Sequence, residues 1–358
     1  MAGNQKRKPS LGETLGMFAA SLLTIVHALW DIITTFKDVQ AAGWSLKRML
    51  IVSILRNRTN IVTRPSHLTT QETTGEIIGK ACQKRNIAVS STVFQCGKYP
   101  DATLHEIKLE GATQDVLVYF HGGGYKNTIY GEGHVPVVLE LARASGASRV
   151  FFLEYSLTPG AKYPAQLVQA ARAMQILLGD KALRPDQIIL GGDSAGGNLV
   201  LGLLAHIKTP HKSVPAISEF SAKTKFKAVM LISPWVTCPT SAVSFVENAK
   251  RDYISVPLVN MYLDIWSPSD DVWADPLRVG ADFWKTVPTA KMIITVGGFE
   301  CLRDDVIAQA RLFGPAMGER LKFVVAPGEV HVQSVFDIAA SLGHSKSYIA
   351  LIEWCRAL

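Results

Sequence analysis

From residue 104 to the C-terminus the chain repeats one pattern, and that pattern restricts the fold more than any other feature. Strand-like runs of six or seven residues, the first alternating like a half-buried strand and the rest largely apolar, alternate with stretches of helical periodicity. The runs are "LHEIKLE" from Leu104, "DVLVYF" from Asp115, "RVFFLEY" from Arg149, "QIILGG" from Gln187, "AVMLISP" from Ala228, "KMIITVG" from Lys291 and "LKFVVA" from Leu321. Strands that are apolar on both sides must be covered on both faces, and the intervening helices supply that cover. The expected fold class is therefore α/β, a mostly parallel central sheet with helices on either side. Residues 238–288 break the alternation and carry Trp266, Trp273 and Trp284, which suits an inserted helical cap. The expected organisation is an N-terminal amphipathic segment with cap helices over residues 1–100, then a main domain over 101–358.

Several classes of function fall away on composition. The five cysteines are odd in number and widely spaced, which argues against a disulfide framework and for a reducing, intracellular compartment. No CxxC pair, HExxH or His/Cys cluster is present, so no metal and no cofactor are expected. Residues 1–64 hold nine basic side chains against three acidic ones, nearly all of the net charge of +7. These cations flank apolar stretches instead of covering a folded face, so no nucleic-acid partner is expected.

The stretch Met17 to Phe36 is long enough to span a bilayer. Its polar residues nevertheless recur at steps of three and four: Thr24, His27, Asp31, Thr34 and Asp38 share one narrow face. Phe18, Leu22, Ile25, Val26, Leu29, Ile33 and Phe36 share the opposite one. Burying Asp31 in hydrocarbon would cost about 2.5–3.5 kcal/mol. A second amphipathic stretch runs from Trp44 to Arg58. Three placements stay open: a helix pair making membrane-surface contact through residues 1–64, for example at the endoplasmic reticulum; a true span; or a soluble lid over a site. Asp31 interrupts the apolar region that a cleaved signal peptide would need. The sequon Asn57-Arg58-Thr59 is too short a motif to carry weight.

Two glycine-rich motifs fall at strand ends, where functional residues of such sheets gather. Gly192-Asp193-Ser194-Ala195-Gly196 lies between a strand and a helix. A sharp turn there lifts the serine hydroxyl clear of the sheet, demands tiny neighbours, and aims the first N–H groups of the helix at any oxyanion. His121-Gly122-Gly123-Gly124 follows the strand from Asp115. Glycines allow close backbone approach, and successive N–H groups can converge on a developing negative charge. The plain alternative is a glycine turn with His121 packed beneath it.

With "YSLTPGAKYPA" (Tyr155 to Ala165) between them, these motifs make the chain resemble the hormonesensitive-lipase-like branch of the α/β hydrolases, steryl acetyl hydrolases included, over roughly residues 110–340. The resemblance implies an α/β-hydrolase domain over residues 101–358 with a cap insertion near 238–288, and an oxyanion hole formed by Gly122, Gly123 and Ala195. It also implies the chain order serine, acid, histidine. His206 and His211 come too early for that order, and His344 precedes the terminal helix, which leaves His331 as the base. In "GGFECLRDD" (Gly297 to Asp305), Glu300 occupies the position of the family's first aspartate, with Asp304 one turn on as a rival. Tyr125 and Trp235 stand where they could border an acyl or alcohol pocket, or pack as ordinary core.

The expected chemistry is a serine hydrolase acting on a carboxylic ester, with Ser194, Glu300 and His331 as catalytic residues. The expected substrate is a small hydrophobic ester of a sterol, terpenoid or other lipid-like or secondary-metabolite alcohol. Amidase or formamidase, thioesterase or condensation chemistry on the same residues, and ligand binding without turnover, are the alternatives. Oligomeric state is not legible.

Overall fold

The computed structural model describes residues 11–61, 72–220 and 223–358. Lys6, Arg7, Lys8 and Arg64 lie outside the described residues, as do the side chains of Glu13, Met17, Arg58 and Thr59. The strands are β1 (Val89–Cys96), β2 (Tyr99–Lys108), β3 (Val116–Phe120), β4 (Arg149–Glu154), β5 (Ile188–Asp193), β6 (Phe226–Ile232), β7 (Thr289–Gly297) and β8 (Leu321–Ala326). They form one sheet in the order β1-β2-β4-β3-β5-β6-β7-β8. The pairs β1/β2 and β2/β4 are antiparallel and the others parallel.

Helices α1 (Leu11–Ala41) and α2 (Leu46–Ile61) form a hairpin, followed by α3 (Thr74–Gln83). Helices α4 (Gly131–Ala144), α5 (Ala165–Gln175) and α6 (Ala195–Lys208) follow β3, β4 and β5 in turn. Between β6 and β7 lie α7 (Val243–Glu247), α8 (Val256–Trp266) and α9 (Ala281–Trp284). Helix α10 (Arg303–Met317) follows β7, and α11 (Gln333–Ala339) and α12 (Lys346–Arg356) follow β8. The two-sided cover inferred from the apolar runs is visible on β3, which is buried at every position. Its Val116, Val118 and Phe120 join one buried apolar cluster, while Leu117 and Tyr119 join another. That is the period of two expected where a sheet is covered on both faces.

Two features of the fold were not legible. The sheet begins at Val89, so the domain boundary expected at residue 100 falls inside the β1–β2 hairpin. Strand β1 lies at the outer edge of the sheet with Ser90, Ser91 and Thr92 exposed, and so it lacks an apolar run. The second feature is the orientation of α1. Thr24, Ala28, Thr35 and Val39 are buried, whereas Phe18, Leu22, Leu23, Ile25, Val26, Leu29, Trp30 and Ile33 are each at least 50% exposed. Of the polar face, Thr24 and Asp31 turn toward the protein, Asp31 pairing with Arg56 at 2.7 Å and accepting from Asn57, while His27, Thr34 and Asp38 are exposed. No helix of the described residues is long and apolar enough to cross a membrane.

Candidate active site

Ser194 stands between β5 and α6 with φ 50° and ψ −119°, a left-handed conformation that costs roughly 1–3 kcal/mol. Its N–H donates to the Ile232 carbonyl and its own carbonyl accepts from the Trp235 N–H, both at 3.0 Å. Neighbouring strand β6 and the loop after it thus hold the strained turn in place. A Cβ at Gly196 would collide with the Phe120 carbonyl, so only glycine lets α6 approach β3 this closely. The first residue of α6 is Ala195, and Ser194 is the residue that precedes the first turn.

His331 lies in the loop after β8 and reaches Ser194 with Nε2 2.9 Å from Oγ. Its Nδ1 is 2.9 Å from Glu300 Oε2. A carboxylate only accepts, so Nδ1 carries the proton and the Nε2 lone pair faces the serine hydroxyl. The other Glu300 oxygen accepts from the Ser233 hydroxyl and the Gly297 N–H. Both Glu300 and His331 are buried. Burial works against a charged His331, but the hydrogen bond and charge of Glu300, with Asp252 and Asp193 beyond, raise the imidazole above its ordinary value. Asp304 is turned elsewhere, accepting from the Ser244 N–H and the Arg303 guanidinium.

The glycine loop departs from the expected arrangement at one residue. The N–H of Gly122 donates to Asp193 Oδ1 at 2.9 Å, so it cannot face an oxyanion. Among the described residues no protein acceptor faces the N–H of Gly123, Gly124 or Ala195, and the loop's available donors lie one residue further along than read from the motif. Gly123 has φ +112°, a conformation that favours glycine and turns the loop at this point. Asp193 is itself buried, and Tyr119 donates to it at 2.9 Å while His134 lies 3.2 Å away. Burial would raise its carboxyl, yet the charge and hydrogen bond of His134 hold it below the usual value. His121 makes no hydrogen bond to Asp193. Burial lowers it to about 4, its Nδ1 donates to the Gly122 carbonyl at 2.6 Å, and its ring stacks on Tyr155.

A residue missed by the motif reading lies beside the acid and base. Asp252 is fully buried and accepts from the His331 N–H at 3.2 Å and the Cys301 N–H at 2.8 Å. One carboxylate therefore ties the loop of Glu300 to the loop of His331. Burial pushes its carboxyl up to about 6, against the nearby charge of His331. Tyr125 and Trp235 are 1% and 4% exposed. The Tyr125 hydroxyl donates to Asn198 at 2.8 Å, its ring stacks on Trp266 at 4.3 Å, and Trp235 packs on Trp266 at 5.6 Å. They form a buried aromatic wall next to the serine turn. Above the glycine loop, Tyr262 of α8 accepts from Asn127 at 3.0 Å. Among the described residues no three His, Cys, Asp or Glu side chains gather in a way that could hold a metal ion.

With this geometry, the chain is similar to an esterase of Acinetobacter venetianus, 26% identical over 205 residues that cover 56% of this chain and 61% of that protein. It is also similar to steryl acetyl hydrolase 1 of Saccharomyces cerevisiae, 25% identical over 146 residues, 40% of this chain and 30% of that one. The chain spans about half the length of the curated relatives it matches. Among solved structures, carboxyl esterase 2 from the mycorrhizal fungus Tuber melanosporum superposes with a TM-score of 0.62 at 22% identity, covering 76% of this chain and 86% of that one. A family model described as the alpha/beta hydrolase fold matches residues 117–334, more than half of the chain, and the chain belongs to that family.

Proposed function

We propose that the protein is a serine esterase that transfers the acyl group of a carboxylic ester to water. The observation that carries the reading is the unbroken relay from Ser194 through His331 to Glu300, with both links at 2.9 Å. A protein that only binds its ligand needs no such relay. Ser194 Oγ attacks the ester carbonyl while His331 Nε2 takes its proton, and Glu300 stabilises the imidazolium that forms. The negative charge on the carbonyl oxygen is met by the N–H groups of Gly123, Gly124 and Ala195, each such donor being worth about 2.7–4 kcal/mol of barrier. Collapse of the tetrahedral intermediate expels the alcohol, which leaves with the proton held by His331. Water, deprotonated by the same imidazole, then releases the acid and restores Ser194.

The substrate is read as a short-chain acyl ester of a hydrophobic alcohol of the sterol or terpenoid kind. The buried wall of Tyr125, Trp235 and Trp266 beside Ser194 supports a small acyl group. The segments over the site, α8 and the α1–α2 hairpin, are read as its cap, and they are rich in apolar side chains. Labelling with a fluorophosphonate, read by intact mass and peptide mapping, tests the chemistry. One equivalent on Ser194, absent from Ser194→Ala, is the expected result; folded protein that resists the probe and hydrolyses no p-nitrophenyl acetate would overturn it.

A further inference from the structure

The relay leaves the outer surface of α1 unexplained. A helix on a soluble body ordinarily turns its apolar side in and its polar side out. Here Thr24, Ala28 and Thr35 face the protein, Asp31 is paired there with Arg56 and accepts from Asn57, and Ile32, Phe36 and Val39 pack inward toward the C-terminal end. The side turned away carries Phe18, Leu22, Leu23, Ile25, Val26, Leu29, Trp30 and Ile33, from 50% to 72% exposed. The described residues among the first turns of the helix, Gly12 to Leu23, are exposed, and Phe18, Leu22 and Leu23 lie on that surface. So large an exposed apolar surface marks a binding face.

We propose that this face docks on an anionic lipid surface, with α1 lying among the headgroups instead of crossing the bilayer. Charge selects the occupant. Of the basic residues over 1–64, Arg48 and Arg56 are taken up by Asp337 and Asp31, whereas Lys37 and Lys47 are exposed on the hairpin and the sequence sets Lys6, Arg7 and Lys8 just before α1. A second copy of the chain would bring like charge against like, whereas anionic headgroups complement it. Trp30, 65% exposed, supplies the amphipathic ring that sits well at a headgroup boundary.

The docked face is joined to the site. The Trp44 indole donates to the Gly328 carbonyl at 2.6 Å, Arg48 pairs with Asp337 at 2.7 Å, and Val39, Trp44 and Met49 pack with Val330 and Phe336. Gly328 and Val330 precede His331 in its own loop, so the docked hairpin is braced against the segment that carries the base. The docking itself does not depend on what reaction the site performs, and its test reads binding alone.

The full-length chain is sedimented with vesicles of phosphatidylcholine, with and without phosphatidylserine, beside the variant Leu22→Glu/Val26→Glu/Ile33→Glu. These side chains touch solvent, so the variant is expected to keep the far-ultraviolet spectrum and thermal transition of the parent; should it not, Ile33→Glu alone carries the comparison. The expected result is about tenfold more parent than variant on anionic vesicles, with binding weakened by salt. The tryptophan emission should move to the blue on binding, a shift lost in Trp30→Phe. Equal partition of parent and variant overturns the proposal. So does a parent that light scattering shows to be dimeric without lipid, that stays off vesicles, and whose variant is monomeric; that result assigns the face to a second copy of the chain.

Discussion

Asp193 and Asp31 are both acids set among apolar residues, and they differ in the reach of what surrounds them. Asp193 is closed in by Tyr119 from β3, by the Gly122 N–H from the glycine loop and by His134 from α4, partners 59 to 74 residues away in the chain. Asp31 is held by Arg56 and Asn57, both on the adjacent helix of its own hairpin. The first acid thereby ties the glycine loop to the serine turn, and the site is over-determined from several elements. The second ties one helix to its neighbour and leaves the apolar side chains of the far side largely exposed. Burial of charge serves geometry in one region and orientation in the other.

Four substitutions sharpen or break that contrast. The largest effect is expected at Glu300→Gln. Glutamine can keep the bonds from Ser233 and Gly297 with its oxygen, but it presents an amide N–H to His331 and favours the wrong tautomer. The kcat for an activated ester should fall about 10⁴-fold with little change in thermal transition. The pH profile adds the sign. The base works unprotonated, so kcat/KM in the parent should rise with pH through an inflection above the ordinary histidine value, because Glu300 favours the charged imidazole. In the variant that inflection should move down. An unchanged inflection would show that Glu300 does not govern His331.

Next in size is Asp193→Ala, which removes the centre of the network and leaves His134 buried without its partner. A loss of about 3–5 kcal/mol in urea unfolding is expected, together with loss of turnover. Asp252→Asn should act more selectively. The amide would set an N–H against the Cys301 N–H, loosening the tie between the acid and base loops. A kcat about 10- to 100-fold lower, with KM for a small ester nearly constant, is the expected signature of misplacement. A loss confined to thermal stability would assign Asp252 a structural role alone.

Asp31→Ala should have the smallest effect, about 1–2 kcal/mol, and it should be local. Hydrogen exchange is expected to quicken in α1 and α2 while amides of β3 and β5 keep their protection. Loss of protection throughout the sheet would show that the hairpin is part of the same cooperative unit as the site.

Legibility divides along the same line. Strands β3 to β8 could be read because buried parallel strands are continuous apolar runs, whereas β1, polar and at an edge, left no such trace. Ser194 could be read from its turn, and His331 and Glu300 from family order; the structure brings all three into hydrogen-bond contact. The missed and shifted residues share a cause. Nothing near Gly122 tells that a carboxylate 71 residues later returns to its N–H. Asp252, next to Arg251, reads as a surface charge until His331 and Cys301 fold over it.

Sequence by itself determined what is local and periodic: the alternation of strand and helix, the small residues that a strained serine turn requires, and the presence of two faces on α1. Tertiary structure alone decided which backbone N–H groups remain available in the glycine loop and which face of α1 meets the protein. The reason is physical. Periodicity is set by the geometry of a single element, but an inward-facing charge or an occupied N–H is settled by a buried partner, and such partners come from whatever distant segment the fold brings within 3 Å.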